Sequence, residues 1–333
     1  MVLGAQGYIG SHIARLLADE GAASEVILVE RLLPPPSDGP AADRWAELDL
    51  VRNSTHELAK TLGQYQPQVV INCVGTTTGD PQHLHQLNVD VVTKLVDALV
   101  DGKHPAYLVH IGSAAEYGPP AGREPARETS TAHPAGVYGE TKLVATEMVQ
   151  AAVAAGRISG TVLRVTNPIG AGNPPATLVG NTVRSLRQAI RTDQPAISTG
   201  RLDSQRDYID VRDVARAALA VAYHPHPNRL PPVINIGRGI PVSSRWLVHR
   251  LARIAGFKGE IAEQDLGSPR SGAVDWQWAD VSVARAALRW TPRYLLAEAL
   301  DQAWSWFSST SPDQGCATHT DSTATRPLSP ISY

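Results

Sequence analysis

Five near-continuous apolar runs constrain this chain more than any other feature: MVL at the start, EVILVE (25–30), QVVINCV (68–74), AYLVHIG (106–112) and GTVLRVT (160–166). Runs this apolar, without polar alternation, are strands covered on both faces, the condition of a parallel sheet between two helical layers. Amphipathic stretches fill the intervals, among them HIARLLADEG (12–21) and VDVVTKLVDALV (89–100). Strand–helix alternation over this length predicts an α/β fold, a doubly wound parallel sheet of the Rossmann type. The first strand is very short and is expected to weaken a sheet edge.

Beyond about residue 167 the texture changes. NPIGAGNPPATLVGN is loop-rich, NTVRSLRQAIR predicts a helix and PVINIG (232–237) one more strand, while WLVHRLARIAG (246–256) and VARAALRW (283–290) predict helices. A chain of 333 residues has room for two lobes. The expected division is a dinucleotide-binding domain over 1–166, with a return segment near 206–237, and a smaller mixed α/β substrate-binding lobe over 167–307. The Ser/Thr-rich stretch 308–333 has almost no apolar periodicity and is expected to be a disordered tail.

A formal net charge of −2 argues for neither a nucleic-acid nor a membrane partner. No apolar run approaches the ~20 residues that cross a bilayer, and no basic region precedes a long apolar stretch at the start, so no signal peptide is expected. Cys73 lies in an apolar run and Cys316 in a polar segment. They predict no structural disulfide and fit a reducing cytoplasm. HPHPNR (224–229) reads as a surface turn, and no metal site is expected.

Gly4, Gly7 and Gly10 stand between MVL and a helix, hence in a strand-to-helix turn. Bare backbone there brings N–H groups close to an anion, and the helix N-terminus favours negative charge. With Tyr8 and Ile9 these glycines form the candidate cradle for the diphosphate of NADH or NADPH. Glu30 ends the next strand, where a carboxylate accepts hydrogen bonds from a ribose diol. Arg31 follows it and would attract a 2′-phosphate, so the choice between the two cofactors stays open.

Tyr138 and Lys142 are four residues apart in GVYGETKLVATEMVQAA, on one face of a helix. An ammonium beside a phenol stabilises phenolate, so such a tyrosine can exchange a proton with a substrate oxygen near neutral pH. Ser113 closes the AYLVHIGS strand at its carboxyl end, where open α/β sheets place their ligands. Together Ser113, Tyr138 and Lys142 form the candidate catalytic set.

With these residues in view, the chain resembles the extended short-chain dehydrogenase/reductase family of sugar-nucleotide epimerases, dehydratases and reductases. The resemblance runs through GAQGYIG, SAAEYG (113–118), YGETK (138–142), LRVTNPIG (163–170), RDYIDVRDVARA (206–217), NIGRG (235–239) and ADVSVARAALRWTP (279–292). It implies Ser113, Tyr138 and Lys142 as the catalytic triad. It implies cofactor contacts for Asn88, for Asp49 and Leu50 near the adenine, and for Val74. Asn167, Arg206 and Arg270 match positions that hold a nucleotide-sugar diphosphate, a task suited to the guanidinium fork.

Dehydratases of this type place an Asp-Glu pair directly after the Ser/Thr, and here those positions are Ala114 and Ala115. Elimination lacks its acid and base, which leaves hydride chemistry. The resemblance is strongest to reductases of deoxysugar pathways and implies NAD(P)H-dependent reduction of a nucleoside-diphosphate 4-keto-deoxyhexose in natural-product glycosylation. The alternatives are a 4-epimerase, a reductase of a polyketide ketone, and a dinucleotide-binding regulator without catalysis. A homodimer through helices 89–100 and the Tyr138 helix is also implied. His83 and His85 are read as solvated in a polar connection, and Cys73 as a buried small apolar residue. Trp276 and Trp278 are read as core packing by default or as base-stacking residues. Thr76, Thr77 and Thr78 are read evenly as pocket lining or ordinary loop.

Overall fold

A computed structural model describes residues 1–20, 26–32, 44–102, 105–120, 122–264 and 274–309. Arg270, Cys316 and residues 310–333 lie outside these. Among the described residues, thirteen strands and ten α-helices follow in chain order. The first half contains β1 (Val2–Leu3), α1 (Tyr8–Asp19), β2 (Ile27–Glu30), β3 (Arg44–Glu47), α2 (Thr55–Tyr65), β4 (Val69–Asn72), α3 (Pro81–His85), α4 (Val91–Asp101), β5 (Tyr107–Ser113), α5 (Val137–Ala154) and β6 (Ser159–Val165). The second half contains β7 (Asn167–Ile169), α6 (Leu178–Arg191), β8 (Ala196–Thr199), β9 (Gln205–Asp210), α7 (Val211–Ala222), β10 (Val233–Ile236), β11 (Pro241–Ser243), α8 (Ser244–Ile254), β12 (Glu260–Glu263), β13 (Trp276–Gln277), α9 (Ser282–Leu288) and α10 (Leu296–Ser309).

The expected doubly wound sheet is present, seven strands in the order β3-β2-β1-β4-β5-β6-β10, all pairs parallel. Its apolar strands are buried because helices cover both faces. On one side α1 (Ile13, Leu17), α7 (Val214, Ala218) and α9 (Ala284, Leu288) share a core with the sheet. On the other, α2 (Leu58, Leu62), α4 (Leu95, Leu99) and α5 (Ala145, Val149) do the same. A third core joins α6, α8 and α10 beside a small mixed sheet in which β9 pairs with β7 and β13 in parallel and with β11 antiparallel.

Some sequence expectations need correction. The two-residue β1 is not at an edge. It lies between β2 and β4, at the point where strand order reverses, and ligands of open α/β sheets bind outside such a point. α1 begins at Tyr8 rather than His12, so Gly10 is inside the helix. His83 and His85 belong to α3, which a π-helical turn (Gln86–Asp90) joins to α4, although both histidines remain exposed. β3 and α2 escape the apolar-run pattern. RWAE is a short edge strand, and α2 has little net hydrophobicity but begins with a capping box in which Ser54 and Glu57 satisfy each other's backbone N–H. α10 extends to Ser309, two residues into the segment expected to be disordered.

Candidate active site

The glycine turn follows β1 directly. Gly4 is left-handed, with φ +72°, and its N–H donates to the Val29 carbonyl at 3.1 Å. A Cβ on Gly10 would fall on the Gly4 carbonyl oxygen, so α1 reaches the turn only because Gly10 has no side chain. Gly7 caps α1 without a side-chain hydrogen bond, and no acidic residue occupies the first turn. The opening amides of the helix, at Tyr8, Ile9 and Gly10, thus have no acidic side chain in their own turn, and such a terminus fits a diphosphate. Glu30 projects from the end of β2 and accepts the Gln6 N–H, which places its carboxylate at the lip of the turn. Arg31 beside it is exposed. Val74 closes the floor, its Cγ2 3.1 Å from where a Gly4 Cβ would stand.

Asp49 and Leu50 lie one strand further out, after β3. Asp49 Oδ1 accepts the Val51 and Arg52 N–H groups at 2.9 and 3.1 Å, so its carboxylate shapes its own loop. The Leu50 side chain is buried, and Lys94 Nζ reaches the loop at the Val51 carbonyl, 2.7 Å away.

The Tyr8 ring meets His12 edge-on at 5.9 Å. Its hydroxyl is buried without a hydrogen-bond partner among the described residues, and burial, with Asp210 second, raises its pKa well above the ordinary phenol value. An unsatisfied buried hydroxyl costs about 1–3 kcal/mol. Tyr8→Phe is therefore expected to raise the unfolding free energy by ~1 kcal/mol or more, read from urea midpoints at constant m-value.

The candidate catalytic residues lie at the end of β5 and on α5, which packs against the turn that follows β5. Gly139 lets the start of α5 approach the turn after Ser113, since a Cβ there would be 2.7 Å from the Ala115 carbonyl oxygen. Half-buried Tyr138 and buried Lys142 occupy one face of α5. Lys142 Nζ donates to the Ile111 carbonyl at 2.6 Å. Burial lowers its pKa to about 8, while Glu116 and Cys73 pull the other way. Burial also keeps His110 neutral and pushes the half-buried Cys73 thiol up to about 12. Ser113 Oγ accepts the Ala115 N–H at 3.2 Å, so its own O–H remains to donate.

Asn88, in the π-helical turn, ties this group to the loop after β4. Its Oδ1 accepts the Thr76 N–H at 2.9 Å, and its amide donates to the Thr76 carbonyl at 3.0 Å and to Thr141 Oγ1 at 3.1 Å. Thr141 in turn donates to the Tyr138 carbonyl at 2.9 Å. Sequence reasoning missed Thr141, although it stands directly before Lys142. It also missed Glu116. This carboxyl group has 0% exposure, accepts the Ser113 N–H at 2.7 Å and pairs with Arg164 Nε at 2.6 Å. Glu116 points beneath the turn, so it cannot replace the acid–base pair that Ala114 and Ala115 lack.

In the small mixed sheet, Asn167 on β7 donates to the Asp207 carbonyl at 2.9 Å. Arg206 on β9 is buried and donates to the Val274 carbonyl. The third residue expected with them, Arg270, is outside the described residues. Asp207, unnoticed in the sequence, accepts N–H groups from Arg238, Gly239 and Ala279, and burial raises its pKa to about 6. Gln277 donates to the Ala114 carbonyl at 2.9 Å, which brings β13 over the Ser113 turn. Trp276 and Trp278 are not core residues. Both are half-buried, with Arg123 5.1 Å from the Trp276 ring and Trp278 Nε1 2.8 Å from the Arg123 carbonyl.

A dTDP-6-deoxy-L-talose 4-dehydrogenase (NAD(P)(+)) of Kitasatospora kifunensis is 36% identical over 306 residues, covering 91% of this chain and 94% of the relative. A UDP-glucose 4-epimerase of Lactobacillus helveticus is 26% identical over 334 residues, covering 93% and 97%. Among solved structures, MoeE5 in complex with UDP-glucose and NAD aligns with a TM-score of 0.76 at 28% identity, over 92% of this chain and 97% of that one. Residues 1–237, which include the glycine turn and the strand ends around Ser113, match a family description directly, and this chain belongs to the NAD dependent epimerase/dehydratase family.

Proposed function

We propose that this chain is an NAD(P)-dependent oxidoreductase that reduces the 4-keto group of a nucleoside-diphosphate deoxysugar in natural-product glycosylation. The observation that supports this reading is the anchoring of Lys142 Nζ 2.6 Å from the Ile111 carbonyl, two residues before Ser113, with Tyr138 one turn earlier on the same helix. The relative named for a dTDP-6-deoxy-L-talose 4-dehydrogenase supports it, because 4-dehydrogenation run backwards is 4-ketoreduction.

Gly4, Gly7, Tyr8, Ile9 and Gly10 would hold the cofactor diphosphate. Glu30 and Arg31 would face one ribose, Asp49 and Leu50 the adenine side, and Val74 and Asn88 the middle of the cleft. The bound nicotinamide supplies a hydride. Tyr138 delivers its phenolic proton to the carbonyl oxygen, Ser113 donates a hydrogen bond to the same oxygen, and the Lys142 ammonium stabilises the phenolate left on Tyr138. Asn167, Arg206 and Arg270 grip the substrate diphosphate.

The test is incubation with a dTDP-4-keto-6-deoxysugar and NADH or NADPH. The expected result is substrate-dependent loss of reduced-nicotinamide absorbance, with KM raised at least ~10-fold in Arg206→Ala. No loss of absorbance overturns the reading, and an unmoved KM points instead to a carbonyl substrate without a diphosphate.

A second reading, 4-epimerisation, is favoured by the UDP-glucose 4-epimerase relative. It requires tightly retained NAD and turnover without added cofactor. We further infer a cytoplasmic homodimer through α4 and α5, where Val100 and Val144 are 39% and 44% exposed. Light scattering is expected to give twice the chain mass, and a monomer overturns the dimer.

A further inference from the structure

Glu116 and Arg164 form a buried ion pair directly beneath the candidate triad. Removing two charges from water is costly, and such a pair is weak evidence for stability by itself. Its location is more informative. Glu116 Oε2 is 2.6 Å from Arg164 Nε, and both side chains are almost wholly inaccessible, at 0% and 5%. Glu116 Oε1 accepts the Ser113 N–H at 2.7 Å. Arg164 sits on β6 opposite Gly112, one residue before Ser113, and its guanidinium lies 4.6 Å from the Tyr117 ring centre. Lys142 holds the same strand end through the Ile111 carbonyl. Residues 111–113 are thus clamped by Lys142 and by Glu116.

We propose that Glu116, paired with Arg164, is a positioning residue for the reaction: it fixes the Ser113 end of β5, to which Lys142 is also tied, and supplies the buried negative charge that faces the Lys142 ammonium.

The groups that act electrostatically with Lys142 come from three elements, Glu116 from the turn after β5, Cys73 from just after β4 and His110 from β5, while Tyr138 stands one turn earlier on its own helix. His110 is held neutral and the Cys73 thiol protonated, both by burial. Among these neighbours Glu116 contributes the carboxylate that opposes the desolvation of Lys142. Burial raises the Glu116 pKa in its turn, and Arg164, the Ser113 N–H and Lys142 counter that rise. Loss of the Glu116 charge leaves burial to expel the Lys142 proton at lower pH. A neutral Lys142 no longer stabilises phenolate on Tyr138, so activity is lost as pH rises through the Lys142 pKa.

The inference rests on the reduction proposed above for its rate readout alone. Glu116→Gln preserves the shape and the acceptor for Ser113 and removes the charge. Two measurements are made on the full chain. One is the pH profile of kcat with the dTDP-4-keto-6-deoxysugar. The other needs no substrate: the titration of Lys142 Nζ by ¹⁵N NMR, assigned with Lys142→Arg in a chain that has five lysines. In Glu116→Gln the Lys142 pKa and the alkaline limb of kcat are both expected to move down by about one unit or more, a ~10-fold loss of kcat above the new pKa, while KM moves less than about twofold. An unchanged Lys142 titration and an unchanged limb overturn the proposal.

Because Glu116→Gln leaves Arg164 buried and unpaired, Glu116→Gln/Arg164→Met is prepared in parallel, with folding followed by circular dichroism. The same shift is expected there, and if neither variant folds the pair is scaffolding and the proposal is overturned. If the wild-type chain reduces no keto-sugar, the reductase reading fails by itself and the Lys142 titration still decides this one.

Discussion

Tyr138→Phe is expected to lower kcat for keto-sugar reduction by about 10³-fold, within the 10²–10⁴-fold range of general acid catalysis, with the Kd for reduced cofactor changed by less than about twofold. The hydrogen bonds from Thr141 to the Tyr138 carbonyl and from Asn88 to Thr141 pass through the backbone of residue 138 and survive the substitution. Lys142 keeps its anchor on Ile111 because that bond does not involve the phenol. What disappears is the proton donor. A fall of less than about tenfold removes Tyr138 from the proton transfer. A dinucleotide-binding regulator would show no change in cofactor affinity and would have no turnover to lose.

Gly10→Ala is the second large expected effect. Its added methyl group would meet the Gly4 carbonyl oxygen, a backbone atom that cannot swing aside like a side-chain tip. Either α1 retreats from the turn or the turn opens, and both displace the helix amides from the anion cradle. Overpacking of this kind costs roughly 1–3 kcal/mol in unfolding free energy, and the Kd for NADH is expected to rise by ~100-fold or more as the diphosphate contacts are lost. Gly63→Ala is the control. Gly63 is inside α2 with nothing within 4 Å of its added Cβ, so helix propensity alone operates and a gain of about 0.5–1 kcal/mol is expected. Titration calorimetry and urea unfolding of the two variants separate crowding from generic glycine effects. Unaltered NADH affinity in Gly10→Ala overturns the assignment of this turn to the cofactor.

The parts of the fold legible in the sequence are those written in local periodicity. β2, β4, β5, β6 and β10 are buried on both faces and therefore read as apolar runs. β3 was invisible because an edge strand of four residues with charged ends has no such run, and α2 because its apolar face is narrow. Its Ser54–Glu57 capping box was the available signal. The same divide holds in the site. Tyr138 and Lys142 share a helix turn, and Ser113 closes a strand, so each could be placed from its own neighbourhood. Glu116 and Arg164 are 48 positions apart, and Asp207 collects amides from residues 31 to 72 positions away. Partnerships across such distances exist only after topology brings adjacent strand ends together. The tryptophans failed for a related reason. Their size suggests a core, but Trp276 on β13 and Trp278 just after it are half-buried and meet Arg123 of the 122–130 segment.

The placement of β10 on the outer edge of β6 has a consequence for biogenesis. A ribosome releases β6 about seventy residues before the strand that covers it, with the whole of β7, α6, β8, β9 and α7 emerging in between. Throughout that interval the nascent polypeptide carries a long, greasy, hydrogen-bond-hungry border, open to chaperones and to mispairing with neighbouring chains.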